Sequence, residues 1–421
     1  MDSRWVLRGL KADIVIYNIG QLVTFMEGPL ARVSEDNAVI VRDAGVAIRD
    51  GKIVAVGRSS DIKSRFEGLK INADKRLVTP GLIDPHTHLV FYGSREDEFE
   101  DKLRGVSYSE ILARGGGIYR TVTATREANV NDLLKRVLSV ARLMLSHGTT
   151  TIEVKSGYAL DLEGEAKMLY VARKLEELLP LKVIPTLLAH VPPLVYKENI
   201  QEYVNYFTNA IIPEIANRNL ALYIDVFCDK GAFSLNDSKI ILEAGLRAGL
   251  RARIHADQIE YIGCSKLVEK LNLDSLDHLE KMPEENSRLI AERGAVATLL
   301  PTSIMSMLEQ SRPPVRALRE AKTIIAIGSD YNPNNMTPLQ QTVIDISPYI
   351  LGLTPLEALA AATINAAKSL NISHEVGAIK ENYTADIIIW EIENYKWLGY
   401  TWGYNKVLKV IAKGRIAYSR E

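Results

Sequence analysis

Cysteine is nearly missing from this sequence of 421 residues, which contains only Cys228 and Cys264. The two residues are not in a CxxC arrangement, which argues against a disulfide framework and a thiolate zinc site and favours a reducing cytosol. No apolar run approaches the length of a bilayer span, and charges interrupt the apolar residues at the start of the chain too often for a signal peptide. We therefore expect a cytoplasmic protein without a membrane partner.

Neither sign of charge is in excess, since 51 Lys+Arg stand against 52 Asp+Glu and the formal net charge is -1. This balance gives no electrostatic reason for the chain to bind nucleic acid or a membrane surface. A small-molecule ligand is the expected partner. The length suits one large barrel with a smaller companion domain.

Two kinds of pattern divide the chain into three parts. Residues 1–79 alternate apolar runs with turn signals such as Asp50-Gly51, which predicts a small β region. Residues 80–374 alternate strand-like runs with amphipathic helical stretches, which predicts repeated βα units and a parallel sheet. The β pattern returns over residues 375–421, so we expect both chain ends to form one β-sandwich beside the barrel.

Eight strand-like runs lie in the central part, and each begins with apolar residues and finishes in polar or ionisable ones. The runs are LIDPHTHLVF, TTTIEVKSGY, KVIPTLLAHV, ALYIDVFCDK, RARIHADQ, DSLDHL, AVATLLPTS and TIIAIGSDYN. Catalytic groups of a (β/α)8 barrel lie at the C-terminal ends of its strands. The fold class that we predict is therefore α/β, a (β/α)8 TIM-like barrel with a small β-sandwich domain.

Four of the ionisable residues at these strand ends have the chemistry of a metal site. His86 and His88 are two residues apart on an extended segment, so their side chains point to the same face. His255 ends the fifth run, and Asp330 ends the eighth after an apolar approach where an unpaired carboxylate is costly. Three imidazoles and one carboxylate can hold a divalent cation.

Two further histidines, His190 in LLAHVPP and His278 in SLDHLE, occupy equivalent places. Either imidazole could polarise a carbonyl or stabilise an oxyanion. A core histidine with one hydrogen bond is the alternative for each of them.

The motif PGLIDPHTH after a β region resembles the amidohydrolase superfamily, whose members hydrolyse carbon–nitrogen and related bonds with metal-activated water. Within it the chain is similar to the imidazolonepropionase family. The similarity rests on HTHLVFYGSREDEF, RGGGIYRTVTATRE, GTTTIEVKSGYALDLEGEAKML, LLAHVPP, IHADQ, DHL and GSDYNP, in the family's order and over nearly the whole chain.

The resemblance implies that one zinc or iron ion is bound by His86, His88, His255 and Asp330. It also implies that Arg95, Tyr158, His190 and Asn332 contact the substrate. A guanidinium fork suits a propionate carboxylate, which gives the assignment of Arg95 a physical basis. The family's reaction would be hydrolysis of 4-imidazolone-5-propanoate to N-formimidoyl-L-glutamate in histidine degradation. A homodimer is also compatible with the family.

Asp330 is placed to take the proton of the attacking water, and His278, with His190, to stabilise the oxyanion. The sequence departs from the family pattern at three of the expected substrate positions. Gln258 stands where the family has glutamate after His-Ala-Asp, and an amide cannot shuttle a proton. Asn334 and Asn335 stand where a glycine and a small hydroxyl residue are expected. Gln258 is retained as a catalytic and substrate-binding candidate, with Asn334 and Asn335 as binding candidates.

Other interpretations stay open from the sequence alone. A neighbouring amidohydrolase or deaminase acting on another small cyclic amide or amidine would share the metal residues, and a barrel without catalytic activity would serve only as a binding protein. The fourth run lacks the mid-strand lysine of binuclear relatives, because Lys230 comes too late, which favours a single metal. Gly115 to Gly117 could form a lid or simply break the chain's regular structure.

Overall fold

The computed structural model describes residues 10–106, 110 and 114–420. Residues 1–9 of the predicted domain 1–79 lie outside the described residues, as does Glu421. The expectation that the chain has no signal peptide rests in part on those nine residues. The boundaries at residues 79 and 374 stay predictions.

A mixed sheet combines strands from both ends of the chain, which confirms the predicted β-domain. The order across the sheet is β16-β15-β14-β5-β1-β2-β3, and β4 pairs with β1. It covers an aliphatic core to which Ile16, Ile48, Ile387 and Ile411 contribute. Its strands are β1 (Leu10–Thr24), β2 (Val39–Arg49), β3 (Lys52–Arg58), β4 (Phe66–Asn72), β5 (Leu77–Pro80), β14 (Ile387–Trp390), β15 (Val407–Ala412) and β16 (Arg415–Ser419).

A second sheet contains a strand from each of the eight predicted runs, paired side by side in chain order. Every ladder between neighbours is parallel. This arrangement confirms the (β/α)8 barrel and places all the strand C-termini at one end. The strands are β6 (Leu82–Asp84), β7 (Thr149–Lys155), β8 (Lys182–Ala189), β9 (Tyr223–Cys228), β10 (Arg251–Ala256), β11 (Leu273–His278), β12 (Val296–Leu299) and β13 (Ile324–Ile327).

Helices connect the barrel strands and cover the barrel. Asn129 and Asp161 cap two of the longest, accepting hydrogen bonds from the amides of Asp132 and Gly164. The α-helices in the described residues are α1 (Ser59–Arg65), α2 (Glu96–Leu103), α3 (Ile118–Glu127), α4 (Val130–Ser146), α5 (Leu162–Leu178), α6 (Ile200–Tyr206), α7 (Ile212–Asn217), α8 (Leu235–Arg247), α9 (Ser287–Glu292), α10 (Pro301–Ser306), α11 (Val315–Glu320), α12 (Gln340–Leu351), α13 (Pro355–Ala361) and α14 (Ile364–Ser369). None of these helices is both long enough and apolar enough to cross a membrane.

The two cysteines form a disulfide, which corrects the interpretation drawn from their spacing. Cys228 ends β9, and β9 pairs with β10 so that Cys228 lies opposite Ala256. The chain after β10 turns back and brings Cys264 beside the end of β9, 36 residues from its partner. Spacing along the chain could not show this proximity, because it arises from a strand pairing.

Asp386 is buried where the β-domain meets the barrel. Its backbone oxygen accepts a hydrogen bond from the amide of Gly81, which lies between β5 and β6, and its Oδ1 accepts one from the Lys413 amide at 2.7 Å. Burial raises the pKa of Asp386 to about 6, although the Lys413 amide acts in the opposite direction. This carboxyl group therefore holds its proton more tightly in the folded than in the unfolded chain.

We expect the contribution of Asp386 to the free energy of unfolding to fall as pH rises from about 4 to about 6, because ionising the buried carboxyl opposes folding. Asp386→Asn should remove this dependence, so that between pH 4 and pH 7 the variant gains up to about 3 kcal/mol relative to the parent protein. Urea unfolding of both metal-free proteins at the two pH values measures the difference. Parallel pH curves for the two proteins would contradict the expectation.

Candidate metal and substrate site

The four predicted metal residues are brought together where the first and last barrel strands meet. The Asp330 amide donates to the His86 oxygen at 3.0 Å, and the His88 amide donates to the Tyr331 oxygen at 2.9 Å. These two backbone hydrogen bonds join the segments that follow β6 and β13. His255 reaches the same place from within β10, and all four side chains are buried.

The distances between the side-chain atoms suit a small divalent ion, with His86, His88 and His255 in one group and His86, His278 and Asp330 in an overlapping one. His88 Nε2 lies 3.3 Å from His255 Nε2 and 3.4 Å from Asp330 Oδ1, and His86 Nε2 lies 3.5 Å from the same Oδ1. Ligands bound at about 2.1 Å in a tetrahedron are separated by about 3.4 Å. His86 Nε2 is buried and has no hydrogen-bond partner among the described residues. The cluster therefore fits a divalent metal site.

Two buried aspartates in the barrel interior orient the imidazoles of His86 and His255. Asp277 Oδ2 lies 2.6 Å from His86 Nδ1, and Asp225 Oδ2 lies 3.1 Å from His255 Nδ1, off the line of an ideal hydrogen bond. A carboxylate at Nδ1 holds the proton there and leaves Nε2 free to bind a metal. The protein therefore presets the tautomer and direction of two of the three histidines.

The two aspartates belong to a fully buried charged cluster in the barrel interior. Lys155 Nζ bonds to Asp225 Oδ2 at 2.7 Å and to Glu153 Oε1 at 2.9 Å, and Arg253 Nη2 bonds to Asp277 Oδ2 at 2.7 Å. Three acidic side chains thus face two basic ones, an excess of one acidic group directly below the histidines. This imbalance favours a cation above the cluster.

Burial keeps His86 and His88 uncharged. It lowers the pKa of His86 well below its usual range, with Lys155 adding to the effect, and it does the same for His88, where His255 adds to it. Neutral imidazole is the form that binds metals.

The structure gives His190 and His278 different electrostatic surroundings. His190 Nδ1 lies 3.2 Å from the Gly157 oxygen, so its proton is used in that bond, and burial lowers its pKa to about 3. Burial alone would lower the pKa of His278, but Glu280, with Nδ1 and Oε1 3.5 Å apart, raises it above its usual value. His278 also has a φ of 79°, an unusual conformation for a residue with a side chain.

Tyr158 lies beside this cluster, Arg95 is close enough for its charge to lower the pKa of His190, and Gln258 follows His255 by three residues. Arg95 is buried, and its Nε donates to Thr121 Oγ1 at 2.8 Å, which leaves the terminal nitrogens of the guanidinium without a hydrogen-bond partner among the described side chains. The Tyr158 ring lies 5.1 Å from the His190 ring and 5.8 Å from the His88 ring. Gln258 is half-buried, and its backbone N–H donates to Asp229 Oδ2 at 2.8 Å.

The three asparagines after β13 form a tight turn. Asn332 and Asn335 exchange two backbone hydrogen bonds of 3.0 Å, and Asn335 Nδ2 donates to the Ser329 oxygen at 2.8 Å. Asn332 Oδ1 accepts from the Asn334 amide at 2.8 Å. The side chains of Asn332 and Asn335 thus support the backbone that carries Asp330, while Asn334 Oδ1 accepts from Lys102 Nζ at 3.2 Å.

The sequence reasoning missed the charged cluster below the histidines and Lys102. One signal was present: Asp225, Arg253 and Asp277 occur within otherwise buried strands, where charged groups need partners. The identity of those partners depends on which strands are neighbours in the barrel.

Comparison with known proteins identifies the family. The amidohydrolase family profile matches residues 77–417. Imidazolonepropionase of Pyrobaculum arsenaticum is 45% identical over 402 residues, which cover 95% of this chain and 98% of that protein. The chain belongs to the imidazolonepropionase family. Imidazolonepropionase of Geobacillus sp. (strain WCH70), 38% identical over 413 residues, covers 96% of this chain and 97% of its own length.

Membership of the imidazolonepropionase family, within the amidohydrolases, makes the chain a hydrolase of carbon–nitrogen bonds and confirms the resemblance inferred from its motifs. Solved structures agree in fold. An adenosine deaminase from Xanthomonas campestris with bound zinc has a TM-score of 0.72 at 19% identity, covering 98% of this chain and 94% of its own. Guanine deaminase of E. coli has a TM-score of 0.69 at 14% identity, covering 97% and 100%. Identities this low show the fold alone.

Proposed function

We propose that this imidazolonepropionase-family chain hydrolyses the ring amide of 4-imidazolone-5-propanoate, giving N-formimidoyl-L-glutamate in histidine degradation. The observation that carries the proposal is a buried arginine, Arg95, whose charge acts on His190 next to a cluster of histidines that fits a metal ion, and whose terminal nitrogens have no hydrogen-bond partner among the described side chains. Hydrolysis needs the metal site that the histidines would form, and the carboxylate of a propionate tail needs a cationic partner such as the Arg95 guanidinium.

We propose that His86, His88, His255 and Asp330 hold a single divalent ion, zinc or iron. When bound, such an ion supplies Lewis-acid chemistry, which lowers the pKa of water and polarises a carbonyl. A single ion is supported by the charged cluster, because the Lys155 ammonium is bound between Glu153 and Asp225 and is not available as a ligand. Imidazole and carboxylate ligands suit both metals.

We propose that Asp330 takes the proton from water and returns it to the ring nitrogen. Its Oδ1 lies within 3.5 Å of His86 Nε2 and His88 Nε2, so the carboxylate lies where the water must be activated. The turn made by Asn332 and Asn335 holds this carboxylate in place.

His278 and His190 would contact different groups of the substrate ring. His278, whose pKa is raised by Glu280, is suited to donate to the oxyanion that forms on the ring carbonyl. His190 has its Nδ1 proton engaged with Gly157, so its other nitrogen is suited to accept a hydrogen bond from a ring N–H. Tyr158 and Gln258 complete the proposed contacts with the ring.

Gln258→Glu tests whether Asp330 alone handles the proton. If it does, restoring the family's glutamate should change kcat far less than the roughly 10²- to 10⁴-fold that a general acid contributes, and should leave the pH profile of kcat unmoved. Steady-state kinetics from pH 6 to 9 measure both. A large gain in kcat with a shifted profile would show that Gln258 limits proton transfer in this chain.

The reaction itself is tested by loss of imidazolone ultraviolet absorbance when metal-loaded protein meets freshly made substrate, with formimidoylglutamate measured in parallel. Matched loss and gain, abolished by a chelator and restored by zinc or iron, is the expected result. Decay at the spontaneous rate with metal bound would direct attention to other carboxylate-bearing cyclic amides, because Gln258, Asn334 and Asn335 depart from the family pattern.

We further propose a homodimer and a cytoplasmic location. The location now rests on the low number of cysteines and not on their being unpaired, because Cys228 and Cys264 form a disulfide. The dimer is supported by exposed aromatic side chains near residue 400, where Tyr349 OH bonds to the Gly399 oxygen at 3.0 Å beside Tyr400, Trp402 and Tyr404. Exposed apolar patches commonly mark protein interfaces. Sedimentation equilibrium tests the proposal, and a monomer at micromolar concentration would contradict it.

A further inference from the structure

Lys102 lies at the same end of the barrel as the histidines and forms no ion pair within the part of the chain that the structure describes. It lies in α2, is half-buried, and its Nζ donates to the neutral Asn334 Oδ1 at 3.2 Å. Among the described residues, no carboxylate oxygen lies within 4.0 Å of this ammonium. Burial lowers the pKa of Lys102 and the positive charge of Arg95 lowers it further, while the negative charge of Glu98 acts in the opposite direction. An anion from outside the chain would stabilise a partly desolvated ammonium in this position.

The spacing in the sequence places Lys102 on the same side of α2 as Arg95. Arg95 precedes the first residue of the helix and Lys102 follows seven positions later, about two turns on. Glu98, between them, is buried, and its Oε1 accepts from the Gly117 amide at 2.8 Å and lies 3.7 Å from Arg120. The negative charge of Glu98 raises the pKa of Lys102, but the two side chains form no ion pair. Glu98 therefore anchors the glycine-rich segment, and within the described ranges neither Arg95 nor Lys102 has an ion-pair partner.

Asn334 determines where the ammonium is held. The Lys102 hydrogen bond connects the loop after the first barrel strand to the loop after the last, 232 positions away. An ammonium has three donors, and Asn334 takes one without neutralising the charge. Two donors thus remain for an oxyanion.

We infer that Lys102, positioned by Asn334, is a second cation that binds the substrate's carboxylate together with Arg95. The inference rests on the proposed function and makes it more specific: the site selects substrates whose tail ends in a carboxylate and rejects the corresponding amide. Arg95 provides a planar fork and Lys102 a point charge, so the carboxylate is bound by two groups from the same helix segment.

The test compares Lys102→Met and Lys102→Arg on 4-imidazolone-5-propanoate and on the matching propanamide. Lys102→Met should raise KM for the acid roughly 10- to 100-fold with kcat little changed, and should leave KM for the amide unaffected. Lys102→Arg should recover most of the loss. Lys230→Met is the matched control, because Lys230 is exposed and paired with Glu260 at 2.6 Å, and its kinetics should equal those of the parent protein.

A binding measurement separates this inference from the proposed reaction. Calorimetry of the metal-loaded protein with imidazole-4-propanoate and imidazole-4-propanamide, neither of which can be hydrolysed at the ring, should show a preference for the acid that Lys102→Met removes. Asn334→Asp, which supplies Lys102 with an internal carboxylate, should reduce the same preference. Lys102-dependent binding by a protein that does not turn over the imidazolone would leave the inference standing and remove the proposed function.

Two results would overturn the inference. Equal weakening of the acid and the amide by Lys102→Met would show that the lysine only supports α2 and the loop after β13. An unchanged preference in that variant would show that Arg95 binds the carboxylate alone.

Discussion

Asp330→Asn is expected to lower kcat by about 10³-fold, the largest effect of any single change in this site. The variant keeps an oxygen close to His86 and His88 but loses the group that takes a proton from water and returns it to the ring nitrogen. General acid–base groups contribute roughly 10²- to 10⁴-fold to rate, and here one carboxylate has both tasks. Single-turnover kinetics at saturating metal measure the loss.

Metal content and stability serve as the controls for Asp330→Asn, because Asp330 is also a proposed metal ligand. Elemental analysis should find the metal retained at saturating concentration, and thermal unfolding should be close to that of the parent protein. A metal-loaded variant with kcat within tenfold of the parent value would show that another group carries the proton.

Asp277→Asn is expected to have the largest effect on metal binding and folding. The carboxylate orients His86 through a 2.6 Å contact with Nδ1 and balances the buried Arg253. Loss of such an orienting group weakens metal binding roughly 10- to 100-fold. Breaking a buried ion pair from one side costs about 3–5 kcal/mol of folding free energy. Competition with a chelator measures the first effect, and urea unfolding of the metal-free protein measures the second.

Asp274→Asn is the matched control for that variant. Asp274 lies on the same strand and pairs with Arg251, but this pair is partly exposed, so its loss should cost about 1 kcal/mol or less and leave metal affinity unchanged. Equal metal affinity in the two variants would contradict the role of Asp277 in orienting His86.

The strands and the histidine cluster could be predicted from the sequence because both depend on local pattern. Each barrel strand is an apolar run that ends in polar residues, so parallel packing brings His86, His88, His255 and Asp330 to one end whatever the details of packing. Their placement needed only the order of the strands. The same reasoning brought His190 and His278 near the cluster without distinguishing their electrostatic environments.

Contacts between segments far apart in the chain could not be predicted in this way. Asp277 orients His86 across 191 positions, and Lys102 reaches Asn334 across 232. Lys102 also belongs to a helix whose charged residues are typical of a solvent-exposed surface. The pairing of Cys228 with Cys264 depends on a turn after β10, and that turn cannot be inferred from the spacing of the cysteines in the sequence.

The pairing of β5 with β14 has a consequence for the order in which the chain folds. Trp390 in β14 donates a hydrogen bond to Thr79 in β5 across 311 positions, so every barrel strand is synthesised between the two partners. During translation β5 must keep one edge unpaired until β14 leaves the ribosome, and an unpaired edge invites aggregation. Completion of the β-domain is therefore a late step, and a nascent chain stalled before β14 contains all eight barrel strands but cannot close this sheet.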